Sequence, residues 1–165
     1  MLKYLYQKLF PVKLPDTENY VPTELEPYVI LFGSRLWGGA KKSSDVDLLI
    51  REFDVTTIKT ILTSLNLAFK ENRKGYSNVL KSITFNLNNL HYQISVQSYK
   101  EFKASEQAIP IMAAFSKTQK KVSKKEYRVD TYTSLYDHFR YQESISVLPK
   151  DLQKFLTANY PELLI

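Results

Sequence analysis

Two aspartates one residue apart, Asp45 and Asp47, stand in an otherwise apolar run, Asp45-Val46-Asp47-Leu48-Leu49-Ile50. On a β-strand, residues i and i+2 project from one face, which sets the two carboxylates about 6–7 Å apart along the chain. The surrounding Val46, Leu48, Leu49 and Ile50 make the strand read as buried. Two like charges held together there repel and lose hydration, and a cation between them relieves both costs. Magnesium suits the position, because it takes hard oxygen ligands from one or two carboxylates and completes its shell with phosphate oxygens. Upstream, Val29-Ile30-Leu31-Phe32-Gly33-Ser34-Arg35 supplies a complementary part. Gly33 has no side chain to block a phosphate, and a helix opening just after it offers backbone N–H groups to an anion.

These groups need elements to hold them. Residues 28–32 form a five-residue apolar run that ends at Gly33 and reads as a buried strand. A short helix should open at Ser34 and break at Gly38-Gly39, after which Ser43 and Ser44 lead into a strand over 45–50. Ahead of them, Thr23 is placed to cap a brief helix over 24–27, with Glu26 at the capping-box position. Downstream, Asp54 reads as the N-cap of a helix over 55–67, in which Ile58, Ile61, Leu62 and Leu65 recur at helical spacing. Residues 80–87 alternate as a strand, Asn88-Asn89 turns the chain, and 90–96 pairs back as a hairpin. The last third reads as helices over 106–117, over 127–141, and from Pro149 to the end, with Asp151 in the first turn. The expected fold class is therefore α+β: a small mixed β-sheet with helices packed on it. Residues 1–22, a short amphipathic piece and a proline-punctuated connector, precede a core over 23–105, and 106–165 form a helical part of the same domain.

A chain of 165 residues is long enough for one domain with a real hydrophobic core. Its formal charge of +6 favours anionic partners. The absence of cysteine excludes disulfides and thiolate metal sites. No apolar run approaches a membrane span and no signal-peptide segment opens the chain, so a cytoplasmic protein with no membrane partner is expected. The densest basic run, Lys117, Lys120, Lys121, Lys124, Lys125 and Arg128, reads either as a solvated face or as a groove wall for RNA or triphosphate.

Taken together, Phe32-Gly33-Ser34-Arg35, Gly38-Gly39 and Ser44-Asp45-Val46-Asp47-Leu48-Leu49-Ile50 resemble the signature of the nucleotidyltransferase superfamily with the polymerase-beta-like fold, nearest its minimal and antibiotic-modifying members. The likeness is detailed over those residues and extends to the sheet core in element order only. It implies that Gly33 and Ser34 cradle the phosphates of a nucleoside triphosphate such as ATP, that Asp45 and Asp47 ligate magnesium, and that Arg35 balances triphosphate charge. The implied reaction is transfer of a nucleoside monophosphate to a hydroxyl on a small molecule, RNA or a protein, with two metal ions stabilising the entering and leaving oxygens.

In the family a third carboxylate comes from a later strand. Here that strand is Leu90-His91-Tyr92-Gln93-Ile94-Ser95-Val96-Gln97, with no acid on either face. Ser95, or Gln93 one pleat earlier, stands at the expected position. Losing a general base typically costs about 10²–10⁴ in rate. Three ways round the loss are open: Glu71, Glu101 or Glu106 folds into the site, His91 serves as base, or the chain binds nucleotide or RNA, or a protein partner, without catalysis. Trp37, between Leu36 and Gly38, reads more readily as core than as a stacking platform for a base.

Overall fold

The computed structural model describes residues 20–73, 78–119 and 124–164, so the expectations for residues 1–19 lie outside the described residues. The chain is α+β, and it falls into two units, Met1–Phe102 and Lys103–Ile165.

In the first unit, β1 (Ile30–Phe32) runs into a single helical turn, α1 (Ser34–Trp37), and a loop returns to β2 (Val46–Arg51). Helix α2 (Val55–Ser64) follows, then β3 (Phe69–Asn72), β4 (Lys81–Leu87) and β5 (Leu90–Gln97). The five strands lie in the order β1-β2-β5-β4-β3. Only β2 and β5 pair in parallel; the other neighbours are antiparallel. A parallel neighbour cannot be reached by a tight turn, so the intervening α2-β3-β4 segment serves as the crossover.

Register separates the two faces. Val46, Leu48 and Ile50 on β2 share a face with Tyr92, Ile94 and Val96 on β5 and with Ile83 and Phe85 on β4, and all are buried. Helix α2 covers this side, because its Lys59 reaches Glu71 on β3 and its Ile58 and Leu62 are fully buried. The opposite face carries Asp47, Leu49, Gln93, Ser95, Ser82 and Thr84. It is the polar side of the sheet.

Several boundaries differ from the sequence reading. Residues 23–28 form turns rather than a capped helix: Leu25 N–H donates to Pro22 O and Tyr28 N–H to Leu25 O. Pro27 has no N–H with which to continue a helix there. Asp54 stands at the N-cap of α2 but makes no side-chain cap bond; its carboxylate accepts from Arg51 Nε at 2.9 Å instead. The hairpin turn is as expected, with Asn88 and Asn89 both at positive φ (51° and 63°), the conformation of the tight turns that match strand twist.

The second unit is helical. Helix α3 (Tyr99–Thr118) leads into it, starting well ahead of the expected 106 and carrying Pro110 within it, and α4 (Lys125–Tyr141) and α5 (Lys150–Asn159) follow. Ala108, Ile109, Met112, Phe115, Leu135, Leu152 and Leu156 are among its buried residues, and Phe115 meets Phe155 edge-on at 5.5 Å. The Tyr132 hydroxyl donates to Ser105 Oγ at 3.3 Å, and burial pushes its pKa up to about 12. Of the basic run, Lys120 and Lys121 lie outside the described residues, while Lys117, Lys124 and Lys125 are exposed. Among the described residues no helix is long and apolar enough to cross a membrane.

Candidate functional site

Asp47 sits near the start of β2, level with Phe32 on β1 and with Gln93 on β5. The next residue after Phe32 is Gly33, where the chain leaves the sheet at φ 75°, ψ −160°. A Cβ added to Gly33 would overlap the Asp47 Oδ2 atom and lie 3.2 Å from both Cβ and Cγ of Asp47. Glycine is therefore required twice, once by the positive φ and once by the carboxylate against its α-carbon. The acid and the corner face each other.

Gly33 O accepts from the N–H groups of both Leu36 and Trp37 at 3.0 Å. The N–H groups of Gly33, Ser34 and Arg35 precede the first hydrogen bond of α1, as the opening donors of a helix do. These donors and the Asp47 carboxylate meet at the end of β1. Phe32 and Trp37 flank the turn with ring centroids 6.4 Å apart, so Trp37 packs on the strand that precedes it.

Asp45 departs from expectation. Strand β2 begins at Val46, and Asp45 is exposed in the loop before it. The cause lies on both sides: Gly33 has turned away from the sheet, and the β2–β5 ladder opens at Val46–Tyr92. No strand partner is left for Asp45. The two carboxylates are thus unequal, one half-buried against Gly33 and one open to solvent, and the repulsion expected of a buried pair is eased.

Arg35 is committed to that loop. Its guanidinium donates from Nε to Ser44 O at 3.2 Å, and from Nη2 to Ser44 O at 2.5 Å and to Lys42 O at 3.3 Å. Its outer face lies over the Tyr20 ring, 4.6 Å from the centroid. Tyr92 of β5 donates its hydroxyl to Tyr20 O at 2.7 Å; burial raises the Tyr92 pKa. Arg35 fixes the backbone immediately before Asp45, a task that the sequence reading did not assign to it.

Of the two candidates for the third acidic position, Gln93 is the register partner of Asp47, while Ser95 pairs with Leu49 and is only 2% exposed. Glu71 cannot substitute. It points to the other face, ion-paired with Lys59 and, at 2.8 Å, with Lys81, and these lysines hold its carboxyl down at about 2. Glu101 follows the far end of β5, beyond Gln97, which pairs with Arg51 at the end of β2. His91 is better placed. Like Asp45, it stands one residue ahead of the first β2–β5 pair, and it shares the face of Gln93. Its Nδ1 lies 3.0 Å from Asn86 Oδ1. With that carbonyl as acceptor, Nδ1–H donates and Nε2 is left to take a proton.

Among the described residues, no cluster of three or more His, Cys, Asp or Glu side chains is arranged to hold a metal. Asp45 and Asp47 match the donor set of one magnesium ion that shares its shell with phosphates. They do not match a pair of ions held by protein ligands. No protein-family model matches the chain, and no curated protein matches it significantly.

Proposed function

We propose that the chain binds a magnesium–nucleoside triphosphate at the Gly33–Asp47 corner and transfers the nucleoside monophosphate to a hydroxyl acceptor. The observation that carries this reading is the packing of the Asp47 carboxylate on the Gly33 backbone, which puts an acid beside the turn whose backbone N–H groups open α1. Magnesium, ligated by Asp45 and Asp47, would neutralise phosphate charge and polarise the α-phosphoryl group. Gly33 admits the phosphates to the backbone, Ser34 offers its N–H and hydroxyl to them, and Arg35 keeps Asp45 in place. The acceptor oxygen forms a bond to the α-phosphorus as the α–β bridging bond breaks, and pyrophosphate leaves with that electron pair. The hydroxyl proton passes to Nε2 of His91.

A second reading, a nucleotide-binding homologue without turnover, is favoured by one observation: the residue level with Asp47 is the amide Gln93 rather than an acid. Labelled ATP, GTP, CTP and UTP with magnesium, incubated with RNA, protein and small-molecule acceptors, separate the two. Transfer that falls at least 10²-fold in Asp45→Ala/Asp47→Ala is expected. Binding with no labelled product from any acceptor class would leave the second reading standing, and Gln93→Asp would then be expected to raise turnover above background.

A further inference from the structure

Asn86 faces His91 directly across the β4–β5 hairpin, with Leu87 and Leu90 the one pair between them and the Asn88-Asn89 turn. Directly opposed residues of an antiparallel pair leave the sheet on the same side, and here His91 Nδ1 comes to 3.0 Å from Asn86 Oδ1. The contact is bridged by one tight turn, so it forms with the hairpin and needs no ligand to set it. Both residues are exposed, which leaves the imidazole open to an incoming hydroxyl.

Register fixes where that ring stands. Gln93 lies level with Asp47 in the parallel β2–β5 ladder, and His91 is one pleat before Gln93 on the same face. With strands about 4.8 Å apart and a rise of about 3.3 Å per residue, the His91 α-carbon lies about 8 Å from that of Asp47. A gap of that size leaves room for a hydroxyl between the imidazole and a phosphate at the corner. On β4 this face carries Ser82, Thr84 and Asn86, all uncharged, and Lys70 is level with Thr84 on β3. The charged groups nearer the ring therefore come from the β2 side, Asp47 and, ahead of it, Asp45.

We propose that Asn86 is the positioning residue of an Asn86–His91 pair that activates the acceptor hydroxyl in place of a carboxylate. The inference rests on the transfer reading above and adds the residue that makes His91 fit for its part. Asn86 Oδ1 holds the proton on Nδ1, so the lone pair is on Nε2. As the acceptor oxygen bonds to the α-phosphorus and pyrophosphate leaves, Nε2 takes the hydroxyl proton, and the imidazolium keeps its Nδ1–H on Asn86. That bond becomes charge-assisted and strengthens as the proton arrives.

One test needs no nucleotide. The chain has two histidines, His91 and His138, so imidazole nitrogen NMR of the full chain is assigned by comparison with His138→Gln. Neutral His91 is expected to carry its proton on Nδ1 in the wild type and to lose that preference in Asn86→Leu. In transfer from labelled ATP, GTP, CTP or UTP, His91→Gln should cut kcat about 10²-fold and Asn86→Leu about tenfold, both with an unchanged KM for nucleotide. Asn86→Asp keeps an acceptor for Nδ1–H and adds a charge that favours imidazolium. It should recover the rate at high pH and move the acid limb of the rate profile upward by about one pH unit. A residue that only braces the hairpin would change the melting temperature and leave tautomer and limb where they are. Wild-type His91 protonated on Nε2, or Asn86→Leu with unchanged kcat and pH profile while Asp47→Asn abolishes transfer, would overturn this inference alone. No transfer by the wild type from any of the four nucleotides would remove the transfer reading and this inference together.

Discussion

At the scale of single residues, Gly33 and Asp47 act as one unit. Gly33→Ala puts a side chain at φ 75°, ψ −160° and against the carboxylate; the backbone part alone costs about 1–3 kcal/mol. Urea denaturation of Gly33→Ala, Asp47→Ala and the double variant should show the alanine at 33 costing less when Asp47 is shortened, a coupling of at least about 0.5 kcal/mol. Additive effects would mean that the two do not meet. Glycine at 33 was legible in the sequence as a turn beside a phosphate. Its stricter reason, the acid lying on its α-carbon, was not, because it depends on β1 and β2 pairing so that Phe32 faces Asp47. The same register makes Gln93 rather than Ser95 the neighbour of Asp47; alternation along one strand gives its faces but not which residue lies level on the next.

At the scale of elements, strong local signals were readable and weak edges were not. The strands at 30–32 and 46–51 announced themselves by apolar runs, and those at 81–87 and 90–97 by alternation and by the Asn88-Asn89 turn between them, whose two positive φ values suit asparagine. Replacing both asparagines by alanine should lower stability, read from the urea midpoint, by less than about 1–2 kcal/mol per residue, the cost of a left-handed conformation, since asparagine bears part of that cost itself. Strand β3, Phe69-Lys70-Glu71-Asn72, carries almost no apolar signal and was missed. It is an edge strand, tied in by its ladder to β4 and by Glu71 between Lys59 and Lys81. Those lysines lower the Glu71 pKa from 4.5 to about 2. Its contribution to stability is thus whole above pH 4.5 and lost as pH falls toward 2. Wild type should therefore lose stability more steeply over that window than Glu71→Gln, and parallel profiles would show the ion pairs to be energetically idle. Asp54 marks a different limit: a residue fit for an N-cap was claimed by Arg51, three positions earlier, a competition that spacing alone does not decide.

At the scale of the whole molecule, a charge of +6 supports anion binding in general but does not say where it occurs. The proposed nucleotide site gives it a place, the corner where Asp47 packs on Gly33 beside Ser34. A ligand bound only by the folded chain raises its stability by mass action, by about 2.7 kcal/mol at a hundredfold excess over Kd. Magnesium with nucleoside triphosphate should therefore raise the melting temperature of the wild type, with neither component alone reproducing the full rise. The most direct test is calorimetric titration of ATP, GTP, CTP and UTP into wild type and Asp47→Ala, with magnesium and again with the metal chelated. The account predicts saturable binding of at least one nucleotide to the wild type that is lost on chelation and lost in Asp47→Ala. Binding that survives both changes, or no binding to the wild type at all, would contradict it.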